Sequence, residues 1–312
     1  MDIFENNIFY KTNYGKAYLG DSLALMKKMP DASVNLILTS PPFALTRQKE
    51  YGNKQEEEYV EWFMNFSEQF YRILKENGSV VIDLGGAYIP GYPVRSIYQY
   101  ELLVKLCREQ NFFLAQEFFH YNPSRLPTPA EWVTVRRIRV KDAVNTVWWL
   151  SKTQFPKATN RNVLKPYSDS MKSLLKNGYK AQLRPSGHDI SDKFNKNNGG
   201  AIPPNLLELA NTNSNGQYQK KCRENGIKPH PARFPTGFSD FFIKFLTDEN
   251  DIVLDPFAGS NTTGFSAEIL KRKWISIELN KDYLEGSLFR FEEEDNLFPN
   301  NLEKYEIKTS KT

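Results

Sequence analysis

The sequence predicts an α/β fold built on a mostly parallel sheet. Short apolar runs with a β-branched bias alternate with amphipathic helical stretches, and two of those runs stop abruptly at loops rich in Pro or Gly. The chain has 312 residues, a length that suits about two domains, and no internal repeat runs through it. Hydrophobic residues at 40% and charged residues at 25% exclude a disordered or fibrous chain.

The elements follow in order. Val34 to Leu38 (VNLIL) reads as a buried strand, stopped by Thr39-Ser40-Pro41-Pro42-Phe43, because consecutive prolines cannot continue a central ladder. From Glu56 to Lys75 the residues Tyr59, Trp62, Phe63, Phe66, Phe70, Ile73 and Leu74 recur at spacings of three and four, so a helix is expected, closed by Asn77-Gly78. Ser79 to Leu84 (SVVIDL) is a second buried strand ahead of Gly85-Gly86, and Arg95 to Gln110 a second helix. Asn145 to Leu150 (NTVWWL) is a third apolar run. After an irregular stretch the pattern resumes: a helix over Phe238 to Leu246, a strand over Asp251 to Leu254, a helix from about Thr262 to Lys271 and a strand over Trp274 to Ile277. The tail from Glu292 is charged.

Charge is unevenly placed. Lys and Arg number 41 against 37 Asp and Glu, a net +4, yet residues 152–225 alone hold 13 basic and 5 acidic side chains. A local excess of +8 therefore sits on a body that nets −4, and the expected organisation is a first half over 1–151, a basic insert over 152–227 and a second half over 228–312. Cys107 and Cys222 lie far apart without Cys or His at metal-ligand spacing, so no metal site and no disulfide scaffold is expected. No stretch of eighteen or so apolar residues and no signal-like start occurs, which favours a soluble, cytoplasmic protein without membrane attachment.

Two loops carry the chemistry. Asp255-Pro-Phe257-Ala-Gly259-Ser260-Asn261-Thr262-Thr263-Gly264 follows one strand and opens one helix, the place where open α/β sheets bind ligands. Gly259 permits close backbone approach, Ser260, Asn261, Thr262 and Thr263 offer amides and hydroxyls to a carboxylate, and Glu278 ends the next strand where a carboxylate accepts both hydroxyls of a ribose. Asn261 interrupts a GxGxxG pattern and no Lys-Ser or Lys-Thr pair is present, which weakens a dinucleotide or nucleoside triphosphate reading. Ser40 to Phe43 combines hydrogen-bond acceptors with a fixed backbone and an aromatic face. Ser40 Oγ and the Pro41 carbonyl are suitable acceptors, Pro42 helps fix their direction, and Phe43 supplies an apolar face for stacking.

Ser40-Pro41-Pro42-Phe43 and the 255–264 loop resemble the catalytic and cofactor motifs of amino-methyltransferases acting on DNA bases. With the catalytic motif first, the basic insert next and the cofactor loop last, the chain is similar to the β group of that family, and the segments 36–45, 85–88, 139–149, 184–190 and 230–235 are similar to its cytosine-N4 members from restriction–modification systems. The resemblance runs from about Tyr18 to Arg290. It implies a Rossmann-like, circularly permuted methyltransferase fold of about seven strands with an inserted DNA-recognition region, and S-adenosyl-L-methionine as cofactor. It further implies that Asp83 accepts a proton from Ser40 and orients it, that Asp21 in Gly20-Asp21-Ser22 meets the adenine amine of the cofactor, and that His230 to Pro235, with His230 and Phe234, lies beside the methionine end. Phe257 is a reasonable neighbour for a sulfonium cation.

Ser in the first position of the tetrapeptide favours cytosine N4 over adenine N6, and neither cysteine follows a proline as methylation at carbon 5 requires. The expected partner is double-stranded DNA, protected at a palindrome of the CAGCTG type against a restriction endonuclease in a bacterial cytoplasm. Arg161, Arg184, His188, Asn197 and Asn198 are candidate base readers, since Arg pairs with guanine and Asn with adenine, and Arg47 and Lys49 after the tetrapeptide are candidates to clamp the duplex. Adenine-N6 methylation, an RNA substrate and a DNA-binding protein without catalysis stay open at this point.

Overall fold

The computed structural model describes residues 5–43, 56–178, 196–210 and 216–292. The elements are β1 (Ile8–Lys11), β2 (Gly15–Leu19), α1 (Ser22–Met26), β3 (Val34–Thr39), α2 (Glu56–Ile73), β4 (Leu74–Leu84), α3 (Tyr98–Arg108), β5 (Phe113–Tyr121), β6 (Val144–Ser151), α4 (Asp169–Asn177), β7 (Leu206–Glu208), α5 (Gly216–Glu224), α6 (Thr236–Leu246), β8 (Ile252–Asp255), α7 (Thr262–Ile269), β9 (Lys273–Glu278) and α8 (Lys281–Ser287). The described chain divides into two compact units, residues 158–204 and the remainder.

In the larger unit one sheet runs in the order β1-β2-β9-β8-β3-β4-β6-β5-β7. Strands β2, β9, β8, β3 and β4 are mutually parallel, while β6 lies antiparallel between β4 and β5. Among the described residues the sheet has nine strands, where about seven are expected. The additions include short edge strands whose sequences carry little apolar period: β1, antiparallel to β2, and β7, parallel to β5.

Side chains of the central strands alternate between two cores, because successive residues of a strand face opposite sides. Ile37, Val80, Ile82 and Leu254 pack with Met26 of α1, Phe63 and Phe70 of α2 and Leu102 of α3. Leu36, Leu38, Val81 and Val253 pack with Phe238 and Phe242 of α6, Ala267 of α7 and Leu284 of α8. Both faces are thus covered, which is why these strands read as unbroken apolar runs.

One helix boundary differs from expectation. Helix α2 stops at Ile73, and Asn77-Gly78 lies inside β4 and not at a helix end. The ladder with β3 shifts there, from Val34 opposite Leu74 to Leu36 opposite Ser79, so the Gly sits in a bulge where a Cβ would meet the Leu74 side chain at 2.7 Å. The second unit, 158–204, is narrower than the basic stretch 152–227, since β7 completes the main sheet and α5 contributes buried Tyr218 and Cys222 to the main unit. Within the smaller unit, Lys165 and Ala201 exchange backbone hydrogen bonds and Ser168 caps α4 by accepting from the Met171 N–H. Among the described residues no helix is long and apolar enough to cross a membrane.

Candidate active site

The carboxyl ends of β3, β4, β8 and β9 surround a cavity of about 430 Å³. That volume is typical of a small-molecule site, and its position is where parallel strands leave their ends unoccupied.

The tetrapeptide forms one wall: Ser40, Pro41, Pro42 and Phe43 all line the cavity. Ser40 Oγ donates to the backbone carbonyl of Asp83 at 3.1 Å. This corrects the expected contact, which was to the Asp83 carboxylate. Because the hydroxyl proton is committed to a carbonyl, the Ser40 lone pairs remain as acceptors. Gly85 is required beside Phe43, since a Cβ there would lie 2.4 Å from a Phe43 ring carbon.

Asp83 is buried at 3% exposure and lines the cavity. Its Oδ2 faces His120 Nδ1 at 3.5 Å, and its Oδ1 is buried without a hydrogen-bond partner among the described residues. The other ring nitrogen of His120 faces the Leu209 carbonyl at 3.2 Å. Burial opposes charge on this ring, but the Asp83 carboxylate and the Leu209 carbonyl outweigh it and hold the His120 pKa above its ordinary value, against the repulsion of Arg125. With an acceptor on each side, the ring is satisfied on both only as the imidazolium.

The cofactor loop, which follows the neighbouring strand β8, lines the same cavity. Gly259 takes φ +51°, and a Cβ there would meet the His230 ring at 3.1 Å, so glycine both permits the turn and leaves room for the ring. Phe257 packs against Trp62 and Phe66 of α2 at centroid distances of 5.8 and 5.0 Å. Glu278 accepts from the Gly259 N–H and the Asn280 N–H, each at 2.8 Å, and keeps further lone pairs. Ser260 and Thr262 line the cavity. Arg290 holds the loop from behind: its Nε donates to the Ser260 carbonyl at 2.7 Å, its Nη2 to Ser260 Oγ at 3.0 Å, and its guanidinium covers the Tyr218 ring at 4.5 Å. Burial lowers the Arg290 pKa to about 10.

Three residues expected at the cofactor do not line the cavity. Asn261 is fully buried in the left-handed conformation as the N-cap of α7; its Oδ1 accepts from the Gly264 N–H and Ser276 Oγ, and its Nδ2 donates to the Tyr10 hydroxyl. Its polar atoms are spent on the turn. Thr263 Oγ1 donates to Asp255 Oδ2 at 2.7 Å, and Thr39 Oγ1 to Asp255 Oδ1 at 2.8 Å, so Thr263 and Asp255 form a buried tie beneath the loop. Burial pushes the Asp255 pKa up to about 6, against the opposing hydrogen bonds from Thr263, Thr39 and the Phe257 N–H.

Asp21, Ser22, His230 and Phe234 do line the cavity. Asp21 Oδ1 caps α1 by accepting from the Ala24 N–H at 2.7 Å, Ser22 Oγ donates to the Pro256 carbonyl, and the His230 ring stands edge-on to Tyr283 at 4.5 Å. Trp62, Phe66, His120, Asn122, Arg125 and Asn145 also line it and are absent from the expected set. The helical spacing of Trp62 and Phe66 is that of core residues, and the polar four come from or next to β5 and β6, where sequence marks no motif. Of the candidate DNA readers, Arg161 is exposed, while Asn197 Oδ1 accepts from the Gly199 N–H and Asn198 Nδ2 donates to the Lys196 carbonyl, both within a local turn. Arg47, Lys49, Arg184 and His188 lie outside the described residues.

This cavity, on a sheet of this order, defines a nucleic-acid amino-methyltransferase, and comparison with known proteins agrees. The family model described as DNA methylase matches residues 34–289, and the chain belongs to that family. Type II methyltransferase M.PvuII from Proteus hauseri is 54% identical over 285 residues, spanning 90% of this chain and 85% of that protein. The solved structure of PvuII DNA methyltransferase (cytosine-N4-specific) superposes with a TM-score of 0.75 at 46% identity, over 95% of this chain and 90% of that one. The DNA adenine methyltransferase YhdJ of Escherichia coli K12 is more distant, 24% identical over 88% of this chain and 81% of its own length.

Two outcomes follow from this geometry. Gly85→Ala should displace the Phe43 ring and lower kcat/KM for DNA methylation by about 10-fold or more, with little change in S-adenosylhomocysteine affinity measured by calorimetry. For Asp255 the folded-state pKa of about 6 lies above the unfolded value, so its stabilising contribution is present at low pH and lost as pH rises through about 6. Between pH 5 and pH 8, denaturant unfolding of the native protein should lose about 1 kcal/mol relative to Asp255→Asn.

Proposed function

We propose that this protein transfers the methyl group of S-adenosyl-L-methionine to the exocyclic N4 amine of cytosine in a specific duplex DNA site. The observation that carries the reading is the pairing of acceptors at one wall, Ser40 Oγ with its proton directed to the Asp83 carbonyl and the unpaired Asp83 Oδ1. Cytosine-N4 specificity printed for the PvuII enzyme supports the choice of atom.

The cofactor-loop side of the cavity fits the adenosyl cofactor: a glycine turn that a Cβ would crowd, a half-buried carboxylate at the end of β9 and an aromatic cluster at Phe257. Glu278 would accept the ribose hydroxyls, the amides and hydroxyls of Ser260 and Thr262 would hold the carboxylate, and Asp21 would meet the adenine amine. When bound, the cofactor supplies an electrophilic methyl on a sulfonium. Ser40 and Asp83 hold the hydrogens of the target amine, which turns its lone pair out of ring conjugation and toward that methyl. Phe43 would provide a face for the extruded base, and Asp83 Oδ1, which has no partner among the described residues, would accept the proton that the amine loses. Fixing both reactants in one cavity contributes much of the rate.

The smaller unit, Ala158–Pro204, is a DNA-recognition module in this reading, with its Lys and Arg positioning the phosphates. The type II assignment of the related enzymes supports a role in protecting a palindromic site against a partner endonuclease, in the bacterial cytoplasm.

After incubation with duplex DNA and cofactor, nucleoside mass spectrometry should find N4-methylcytosine, and Ser40→Ala should lower its rate by at least about 100-fold. N6-methyladenine or 5-methylcytosine in its place contradicts the reading. Methylation-resolved sequencing of DNA from producing cells then maps the site. Replacing Arg161, Lys165 and Lys176 by Gln should reduce the steepness of log affinity against log salt by up to about 3. The same change at exposed Lys27, Lys28 and Lys273 of the larger unit should leave that slope unaltered.

A further inference from the structure

The cavity has a polar end that the reading above leaves without a role. Asn122, Arg125 and Asn145 line it together with Ser40 and Asp83. The antiparallel ladder of β5 with β6 sets Asn145 opposite His120, and Asn122 and Arg125 follow directly after β5.

Hydrogen bonding dictates which group each amide has left to offer. Arg125 Nη1 donates to Asn145 Oδ1 at 2.7 Å, and a guanidinium only donates, so the oxygen of that amide is taken and its Nδ2 remains. The Ser124 N–H donates to Asn122 Oδ1 at 3.1 Å, which again leaves Nδ2. Arg125 itself has no acceptor, and His120 already faces acceptors with both ring nitrogens. This wall is therefore rich in donors, while Ser40 Oγ and Asp83 Oδ1 make the catalytic wall rich in acceptors.

A ligand complementary to both has an amine at one end of its edge and acceptors further along it. Cytosine has that order: the N4 amine, the N3 lone pair and the O2 carbonyl. Adenine has its amine and N1, but a C–H group where cytosine carries the carbonyl. We propose that Asn122, Arg125 and Asn145 read the N3 and O2 acceptors of the extruded cytosine and exclude adenine, whose C–H would leave a desolvated donor unpaired. This assignment rests on amine methylation of duplex DNA at the same site.

The test uses the full-length protein and two duplexes that differ only at the mapped target base. One carries cytosine, the other the 2-aminopyridin-5-yl C-nucleoside, which keeps the amine and the ring nitrogen but has C–H in place of the carbonyl. The native enzyme should prefer cytosine by on the order of 10- to 100-fold in kcat/KM. Asn145→Asp keeps an acceptor for Arg125 and replaces the free donor by an acceptor. It should bring that preference down toward one, with S-adenosylhomocysteine affinity unchanged. A native preference near one overturns the proposal, and so does a variant that slows both substrates equally and preserves their ratio. Either of those results leaves cytosine methylation standing, whereas no transfer to the cytosine duplex by the native enzyme removes the underlying reading as well.

Discussion

The site depends on one buried tie between strands that are far apart in the chain. Thr39 Oγ1, at the end of β3, donates to Asp255 Oδ1, at the end of β8, across 216 positions of sequence. Ser40 follows the first residue and the cofactor loop follows the second, so this 2.8 Å contact sets how far the acceptors stand from the loop. Thr263 completes the tie from α7, and both Thr39 and Asp255 are nearly inaccessible to water. A buried carboxylate is costly unless its lone pairs are used, and here three donors from β3, α7 and the loop use them.

A second constraint comes from the antiparallel β6–β5 pair beside β4. It carries His120 to the Asp83 carboxylate and brings Asn145, Asn122 and Arg125 to the same cavity. Parallel strands alone would present only their loops at this end. The polar wall combines the start of β6, which runs opposite to its neighbour β4 and supplies Asn145, with the end of β5, after which Asn122 and Arg125 follow. From the far side Arg290 clamps Ser260, which makes the last described turns of the chain part of the support for the loop.

Much of this was legible in the sequence because the relevant residues announce their backbone role. Prolines 41 and 42 end a strand, and Gly259 marks a turn before a helix. Ser40 to Phe43 and Glu278 accordingly stand at the cavity. What sequence misassigns are residues whose type suits two tasks. Asn261 looks like a ligand group, yet its left-handed backbone and three hydrogen bonds make it a cap. Trp62 and Phe66 share the helical period of the core but face the cavity. His120, Arg125 and Asn145 become neighbours only through the β5–β6 register, which no local pattern encodes. The basic composition extends past the smaller unit for a similar reason: β7 and α5 are held by buried Leu207, Tyr218 and Cys222, a few residues in a polar background.

In the proposed mechanism the cavity turns a base amine toward the cofactor between the acceptors of Ser40 and Asp83 and the face of Phe43. A crystal structure with S-adenosylhomocysteine and a duplex containing the methylation site measures this directly. The target cytosine should lie out of the helix, with its ring on Phe43 and its N4 within about 3 Å of Ser40 Oγ or an Asp83 oxygen. A target base still stacked in the duplex, or extruded with its amine turned away from Ser40 and Asp83, would contradict it.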